Sequence, residues 1–222
     1  MEALLNKDEP SEPNWSWPLK WAAILISYIF HPILIPFYAI WFLVYVHPSY
    51  FSGFSAGHKA QILFITLLNL VFFPVLSVIL LKAVGFIESF FLRKQKDRII
   101  PYMACGIFFF WAYTVFKQQD QYPPIISSFI LGIFLASSGG LLANIYFKVS
   151  MHAIGMGGLC GLFIIITGSN SMLMTWPLSI VLLLTGSVCT SRLLLSDHTQ
   201  REIYTGFFIG LLSQFLAAFV IA

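Results

Sequence analysis

Charged residues are scarce in this chain. Of its 222 residues only 9% are Asp, Glu, Lys or Arg, whereas 59% are hydrophobic. A soluble domain of this length could not bury so much apolar material in one core. The scarcity of charge therefore excludes an ordinary soluble domain and predicts an integral membrane protein. The formal net charge of +3 is also too small to indicate a partner nucleic acid.

Cysteine is equally sparse. The three cysteines lie within apolar runs, are odd in number and have no close-spaced partner: Cys105, Cys160 and Cys189. A disulfide framework or a cysteine metal site needs cysteines at short or regular spacings. The pattern implies neither a disulfide framework nor a cysteine metal site, and it predicts that these side chains serve in packing.

What the chain has in abundance is long apolar runs. A bilayer core needs about 20 apolar residues per helix. On that criterion seven segments are candidates, at residues 21–46, 62–81, 102–116, 125–147, 153–167, 172–195 and 203–222. The third and the fifth are short, so we expect six to seven transmembrane helices. The runs lack the alternation of an outer-membrane barrel, which leaves an all-α, polytopic transmembrane helical bundle.

The chain reads as one membrane domain with a short tail. Residues 1–18 are acidic, contain proline and have no basic patch, so they do not resemble a cleaved signal peptide. We expect a polar N-terminal tail over 1–18, a single membrane-embedded domain over 19–222, and a first apolar run that remains as a helix. The patterns Gly157-x3-Gly161 and Gly206-x3-Gly210 predict close helix packing.

The charges are distributed unevenly. Seven crossings would place the polar junctions at residues 82–98, 148–152 and 192–202 on the same side as the N-terminus. That side holds ten of the 12 basic residues, which are Lys7, Lys20, Lys82, Arg93, Lys94, Lys96, Arg98, Lys148, Arg192 and Arg201. By the positive-inside rule this side is cytoplasmic. We expect a multi-pass protein of a prokaryotic cell (inner) membrane.

The junction at residues 191–202 is the densest polar stretch. A last helix that begins near Thr199 would place Glu202 on the same face as His198, one turn further on. The carboxylate could hold one imidazole nitrogen and leave the other free to attack, while the helix N-terminus offers donors for an anion. The alternative is that these polar residues solvate a helix end.

The other two junctions carry complementary groups. Ser150 could donate to a phosphate oxygen and His152 could protonate a leaving group, unless the histidine is a satisfied structural residue. The basic cluster at residues 93–98 includes Lys94 and Arg98, and guanidinium groups bind phosphate in a bidentate fashion. Such a cluster can equally contact lipid headgroups or orient a helix.

The three junctions together resemble the type-2 phosphatidic acid phosphatase superfamily, also called the vanadium haloperoxidase-like phosphatases. That family carries Lys-x6-Arg-Pro, then Pro-Ser-Gly-His, then Ser-Arg-x5-His-x3-Asp. In this chain the second and third motifs read Val149-Ser150-Met151-His152 and Ser191-Arg192-x5-His198-x3-Glu202. The resemblance covers about residues 94–206 in the family's motif order.

This chain departs from the family pattern in each motif. Glu202 replaces the family's Asp, and the second motif keeps Ser and His but loses Pro and Gly. In the first motif Arg98 is not followed by Pro, and Phe91 occupies the position of the Lys. The cation would then have to come from a shifted position, either Lys94 or Arg93.

The resemblance implies a phosphatidic acid phosphatase-like core and a mechanism. His198 would attack phosphorus to form a phosphohistidine, Glu202 would orient it, and His152 would protonate the leaving group and then activate water. The phosphoryl oxygens would be held by Arg98, Arg192, Ser150, Ser191 and Lys94. No metal or other cofactor is required.

We therefore expect an integral membrane phosphatase that acts on a lipid phosphate or diphosphate, such as an isoprenoid diphosphate, phosphatidic acid or phosphatidylglycerol phosphate. Its partners would be this substrate and membrane lipids, with no nucleic acid. One alternative is a non-catalytic protein that binds or transports an anionic lipid headgroup. Another is a zinc site built from His152, His198 and Glu202.

Overall fold

The structure of the chain is a computed structural model that describes residues 15–87, 95–169 and 171–221. Over these ranges it is helical and contains no strand, which confirms the predicted all-α class. The helices are α1 (Trp17–Ile29), α2 (Ile35–Trp41), α3 (Ala56–Thr66), α4 (Phe73–Ala83), α5 (Ile99–Lys117), α6 (Pro124–Tyr146), α7 (Met151–Ser169), α8 (Ser171–Leu194) and α9 (Gln200–Ile221). Wider π-helical turns extend α2 over Phe42–Val46 and join α3 to α4 over Leu67–Phe72, and a 3-10 turn at Lys96–Arg98 leads into α5.

Six helices in the described ranges are long and apolar enough to cross a membrane. They are Ala56–Ala83, Lys96–Lys117, Pro124–Tyr146, Met151–Gly168, Leu173–Leu194 and Gln200–Ile221. This confirms a polytopic membrane bundle and places the number of full-length helices at six. The two runs that look short in the sequence are the central parts of α5 and α7, which extend beyond these runs at both ends.

The first apolar run, residues 21–46, is not one helix, and the expectation of a continuous first segment is wrong. Helix α1 ends at Ile29 and α2 begins at Ile35, with a turn between them that contains Pro32. Proline has no N–H to continue a helix and disfavours helical backbone at the preceding residue, His31. Pro36 lies in the first turn of α2, where a missing N–H costs nothing.

Helix α9 packs closely against α7 through glycines. A methyl group at Gly157 would collide with the carbonyl oxygen of Phe207, and one at Gly210 would collide with the carbonyl oxygen of Ile154. Only a residue without a side chain lets the two backbones approach so closely, and this approach supplies van der Waals contact in lipid. Both glycine patterns are therefore confirmed as helix-packing elements.

We predict that Gly210→Ala lowers the melting temperature of the purified protein in detergent by several degrees. The added methyl group meets backbone atoms of α7, which cannot rotate away, so the helices must separate. Gly186→Ala in α8 is the matched control, because a methyl group there meets no atom of the described residues within 4 Å. That variant should melt at the same or a higher temperature, since alanine favours helix. Equal melting of the two variants would contradict the packing role.

Candidate functional site

The three polar junctions meet at one end of the bundle. The guanidinium of Arg98 donates from Nη1 to the carbonyl oxygen of Val149 at 2.7 Å. The ammonium group of Lys148 donates to the carbonyl oxygen of Asp197, also at 2.7 Å. These bonds tie the start of α5 to the α6–α7 junction, and that junction to the turn between α8 and α9. The convergence that the topology predicted is therefore present.

The segment before α5 is held in place by a reciprocal amide contact. The Asn144 side chain donates to the carbonyl oxygen of Gln95 at 2.9 Å, and the Gln95 side chain donates to the carbonyl oxygens of Asn144 and Ile145. Asn144 is fully buried near the end of α6. This contact fixes the turn that delivers Arg98 to the site.

The turn between α8 and α9 presents the histidine. Ser196 adopts a left-handed backbone with φ of 53°, which reverses the chain within a few residues. The hydroxyl of Thr199 accepts the backbone N–H of Glu202 at 3.3 Å and so caps α9. Helix α9 accordingly begins at Gln200, next to the predicted start.

His198 and Glu202 form the expected pair. Nδ1 of the imidazole lies 2.6 Å from Oε2 of the carboxylate, and His198 is buried. Burial lowers the pKa of His198 to about 3, and nearby cations act in the same direction: Lys148, Arg98 and Arg192. The imidazole is therefore neutral at pH 7. Because a carboxylate only accepts, Nδ1 carries the proton and Nε2 keeps its lone pair.

A cavity of about 810 Å³ adjoins this pair. The charged and imidazole side chains that line it are His31, Arg98, Lys148, His152, Arg192, Asp197 and His198. The rest of its wall is mainly apolar and comes from α1, α2 and α4–α7, with Val75, Val78, Ile79, Phe109, Phe129 and Ile133 among the lining residues. One space thus has a polar end and an apolar body.

The polar end carries more positive than negative charge. Arg192 pairs with Asp197, whose Oδ2 lies 2.5 Å from Nη2 of the guanidinium. Arg98 is 4% exposed. The third cation is Lys148, and burial lowers the pKa of its ammonium group. Three cations against one lining carboxylate suit an anion with several oxygens, for which guanidinium groups give directional contacts.

His152 packs against His31, a second cavity-lining histidine that is not among the predicted site residues. Nε2 of His152 lies 3.1 Å from the carbonyl oxygen of Ser27 in α1, so that nitrogen carries a proton and donates it. The His31 ring packs edge-on against His152 with 5.6 Å between centroids. Burial, followed by the charge of Arg192, lowers the pKa of His31. The sequence feature that points to His31 is its position directly before Pro32, inside an apolar run.

The predicted site residues divide into three groups. His152, His198, Arg98 and Arg192 line the cavity, with Glu202 directly behind His198. The second group, Ser150 and Ser191, lies outside the lining. Lys94, the alternative Arg93 and Phe91 fall outside the described residues.

The hydroxyls of the two serines bond to backbone groups nearby in the chain. Ser150 is fully buried, and its hydroxyl accepts the backbone N–H of Ala153 at 3.4 Å at the start of α7. The hydroxyl of Ser191 donates to the carbonyl oxygen of Ser187 at 2.8 Å. Lys148 and Asp197, by contrast, line the cavity although neither was among the predicted site residues.

The zinc alternative has no geometric support. Among the described residues no group of three or more His, Cys, Asp or Glu side chains is arranged to hold a metal ion. Nε2 of His152 faces the Ser27 carbonyl, and Nδ1 of His198 faces Glu202.

Comparison of the chain with protein-family models, with curated proteins and with solved structures finds no match. The chemistry of the site is therefore the ground on which function is inferred.

We predict that the melting temperature falls as the pH drops below about 6.5, the ordinary pKa of histidine. The folded pKa of His198 lies below that value, so the unfolded chain binds more protons in this range and stability is lost as pH falls. His198→Asn should make the dependence measured between pH 7 and pH 4 shallower, and His31, whose pKa is also lowered, accounts for part of what remains. His58→Asn, at an exposed position in α3, should leave it unchanged. Identical pH dependence in the wild type and His198→Asn would refute the buried neutral imidazole.

Proposed function

We propose that this protein is an integral membrane phosphatase that hydrolyses a lipid phosphate or diphosphate through a phosphohistidine at His198. The observation that carries the proposal is the two-part cavity. Its polar end combines an imidazole–carboxylate pair with three cations, and its body is apolar and lies among membrane helices. Isoprenoid diphosphates, phosphatidic acid and phosphatidylglycerol phosphate all have this division into a phosphate and a chain.

In the first step the lone pair on Nε2 of His198 attacks phosphorus. The N–P bond forms as the bond between phosphorus and the lipid oxygen breaks, and that oxygen leaves with the bonding electrons. The imidazole gains positive charge, which the carboxylate of Glu202 stabilises through Nδ1–H. Burial keeps the imidazole neutral beforehand, so the nucleophile needs no separate base.

His152 completes the cycle as the acid and then the base. Because its Nε2–H is bonded to the Ser27 carbonyl, Nδ1 is the nitrogen that exchanges the proton. The ring takes up a proton at Nδ1 when the anionic substrate binds beside it, and Nδ1–H passes that proton to the departing lipid oxygen. Nδ1 then takes a proton from water as that water attacks the phosphohistidine. The N–P bond breaks, inorganic phosphate leaves and His198 regains its lone pair.

The cations hold the phosphoryl oxygens. Arg98 and Arg192 offer planar N–H groups, and Lys148 offers a mobile ammonium group at the same end of the cavity. Charge that develops on the phosphoryl oxygens in the transition state is stabilised by these preorganised donors. Lys148 can thus supply the phosphate-binding ammonium group that the family resemblance assigned to Lys94.

Substrate would enter sideways from the bilayer. Helix α1 packs mainly on α8 and α4 mainly on α5, yet both contribute to the cavity lining. Their lining residues Tyr28 and Ile79 are 61% and 47% exposed, so the cavity is open near these helices. A lipid could place its phosphate at the polar end while its chain stays in apolar surroundings.

The distribution of basic residues adds an orientation to the proposal, with the site on the cytoplasmic side of a prokaryotic inner membrane.

A second candidate function is binding or transport of an anionic lipid headgroup without hydrolysis. One observation favours it, namely that the cations already have protein partners. Arg192 pairs with Asp197, and Arg98 donates to Val149. A phosphate would then share these donors, which is sufficient for recognition even if no bond is cleaved.

We predict that His198→Asn abolishes release of inorganic phosphate from lipid phosphates, by a factor of at least about 10³, because the asparagine amide has no basic lone pair with which to attack phosphorus. The measurement is phosphate release by purified protein across a panel of lipid monophosphates and diphosphates. His58→Asn serves as the control, since it removes an imidazole remote from the cavity lining. Undiminished turnover by His198→Asn would reject the phosphohistidine, and no turnover by the wild type would favour headgroup binding.

Vanadate should inhibit the wild-type enzyme in competition with substrate. It mimics phosphate and can bond to a nucleophile as a trigonal bipyramid, so a site that forms a phosphohistidine binds it strongly. The measurement is the inhibition constant of vanadate at several substrate concentrations. Phosphate release that is insensitive to vanadate would argue for a different catalytic route.

A further inference from the structure

The hydroxyl of Tyr102 is a buried polar group with no role in the mechanism described above. Tyr102 lies on α5, one turn after Arg98, and is 9% exposed. It lines the cavity, and its hydroxyl has no hydrogen-bond partner among the described residues. Nearly all buried polar groups in proteins are hydrogen-bonded, so this hydroxyl needs a physical explanation.

The position of the ring is set by packing. A methyl group at Gly140 would lie 3.2 Å from the Tyr102 hydroxyl oxygen and 2.8 Å from a side-chain carbon of Ile154. Glycine at this position of α6 therefore makes room for the phenol. Gly140 lies six residues before Tyr146, the last residue of α6, which corresponds to about 9 Å along the helix.

The hydroxyl consequently lies deeper in the bundle than the residues that would bind the phosphate. Arg98 bonds to Val149 in the junction that follows α6, whereas Tyr102 packs beside Gly140 within the helix. The phenol stands at the boundary between the polar end and the apolar body of the cavity. A ligand group at this level would be the one that joins a phosphate to its apolar chain.

We propose that the Tyr102 hydroxyl donates a hydrogen bond to an acceptor oxygen of the lipid, located between its terminal phosphate and its apolar chain. Tyr102 is then a specificity-determining residue that distinguishes lipids with such an oxygen from simple alkyl phosphates. The inference rests on the proposed function to the extent that the ligand is a lipid phosphate.

Two kinds of lipid offer the required oxygen. An acylglycerol phosphate has an ester carbonyl close to its phosphate, and an isoprenoid diphosphate has a second phosphate next to the terminal one. A neutral phenol can donate to either. An alkyl monophosphate has neither group, so it measures binding of the phosphate and chain alone.

The test measures binding with non-hydrolysable ligands, so it does not depend on turnover. The ligands are the phosphonate analogue of a diacylglycerol phosphate, a methylene-bridged isoprenyl diphosphate and an alkyl phosphonate. Dissociation constants are measured by calorimetry for the wild type, Tyr102→Phe and a control, Tyr113→Phe. Tyr113 is equally buried on the same helix but lies outside the cavity lining.

Tyr102→Phe should weaken binding of at least one oxygen-bearing ligand by about threefold to tenfold, the usual worth of a hydrogen bond to a neutral donor. Which of the two ligands loses affinity identifies the source of the oxygen. Binding of the alkyl phosphonate should not change, and Tyr113→Phe should bind all three like the wild type. The ligand-free melting temperature of Tyr102→Phe should be unchanged or higher, because the lost hydroxyl has no partner in the part of the chain that the structure describes.

Several results would overturn the proposal. These are equal affinities of Tyr102→Phe and the wild type for both oxygen-bearing ligands, an equal loss for the alkyl phosphonate, a lower ligand-free melting temperature, or no binding of any ligand by the wild type. Phosphate release from the hydrolysable counterparts is measured separately. If Tyr102→Phe selectively loses binding and the wild type shows no turnover, the role of Tyr102 is supported and the phosphatase is rejected. If the wild type turns over substrate and Tyr102→Phe binds normally, the phosphatase is supported and the role of Tyr102 is rejected.

Discussion

The buried cation Arg98 is the constraint around which the polar end of this bundle is organised. A charge at the end of a membrane helix is costly unless protein groups replace water around it. Arg98 is almost fully buried and donates to the Val149 carbonyl, which joins α5 to the α6–α7 junction. The Lys148–Asp197 contact extends the same network to the α8–α9 turn. The hydrogen bonds that compensate the buried charges are thus the same bonds that hold the three junctions together.

Helix packing in the apolar part determines how well this network is aligned. Gly206 allows α9 to approach the start of α7 so closely that a methyl group there would lie 2.8 Å from the Ser150 carbonyl oxygen. The backbone N–H of Ser150 in turn donates to the Glu202 carbonyl at 3.3 Å. Glu202, which holds His198, is therefore positioned by backbone contacts and by glycines. The contacts that stabilise the fold also supply the preorganisation that the proposed chemistry needs.

Residue spacing was informative where the relevant contact is local. His198 and Glu202 are four apart at the start of a helix, so their side chains meet whatever the neighbouring helices do, and the predicted pair is present. Spacing was uninformative where the direction of a side chain depends on packing. Ser150 and Ser191 match the family's motifs, yet the Ser150 hydroxyl bonds to the first turn of α7 and the Ser191 hydroxyl bonds within α8. Lys148 matches no predicted role and nevertheless lines the cavity.

The amino-acid sequence by itself determined the all-α membrane class, because long apolar runs in lipid leave helices to satisfy the backbone. It also determined which polar junctions share one end of the bundle, through the order of the crossings. Only the tertiary structure decided that His31 reaches the cavity. The same is true of the Tyr102 hydroxyl, which lies beside Gly140 and has no hydrogen-bond partner within residues 15–87, 95–169 and 171–221. These features depend on which helix faces which, and that is set by the close fit of many small contacts that no local pattern encodes.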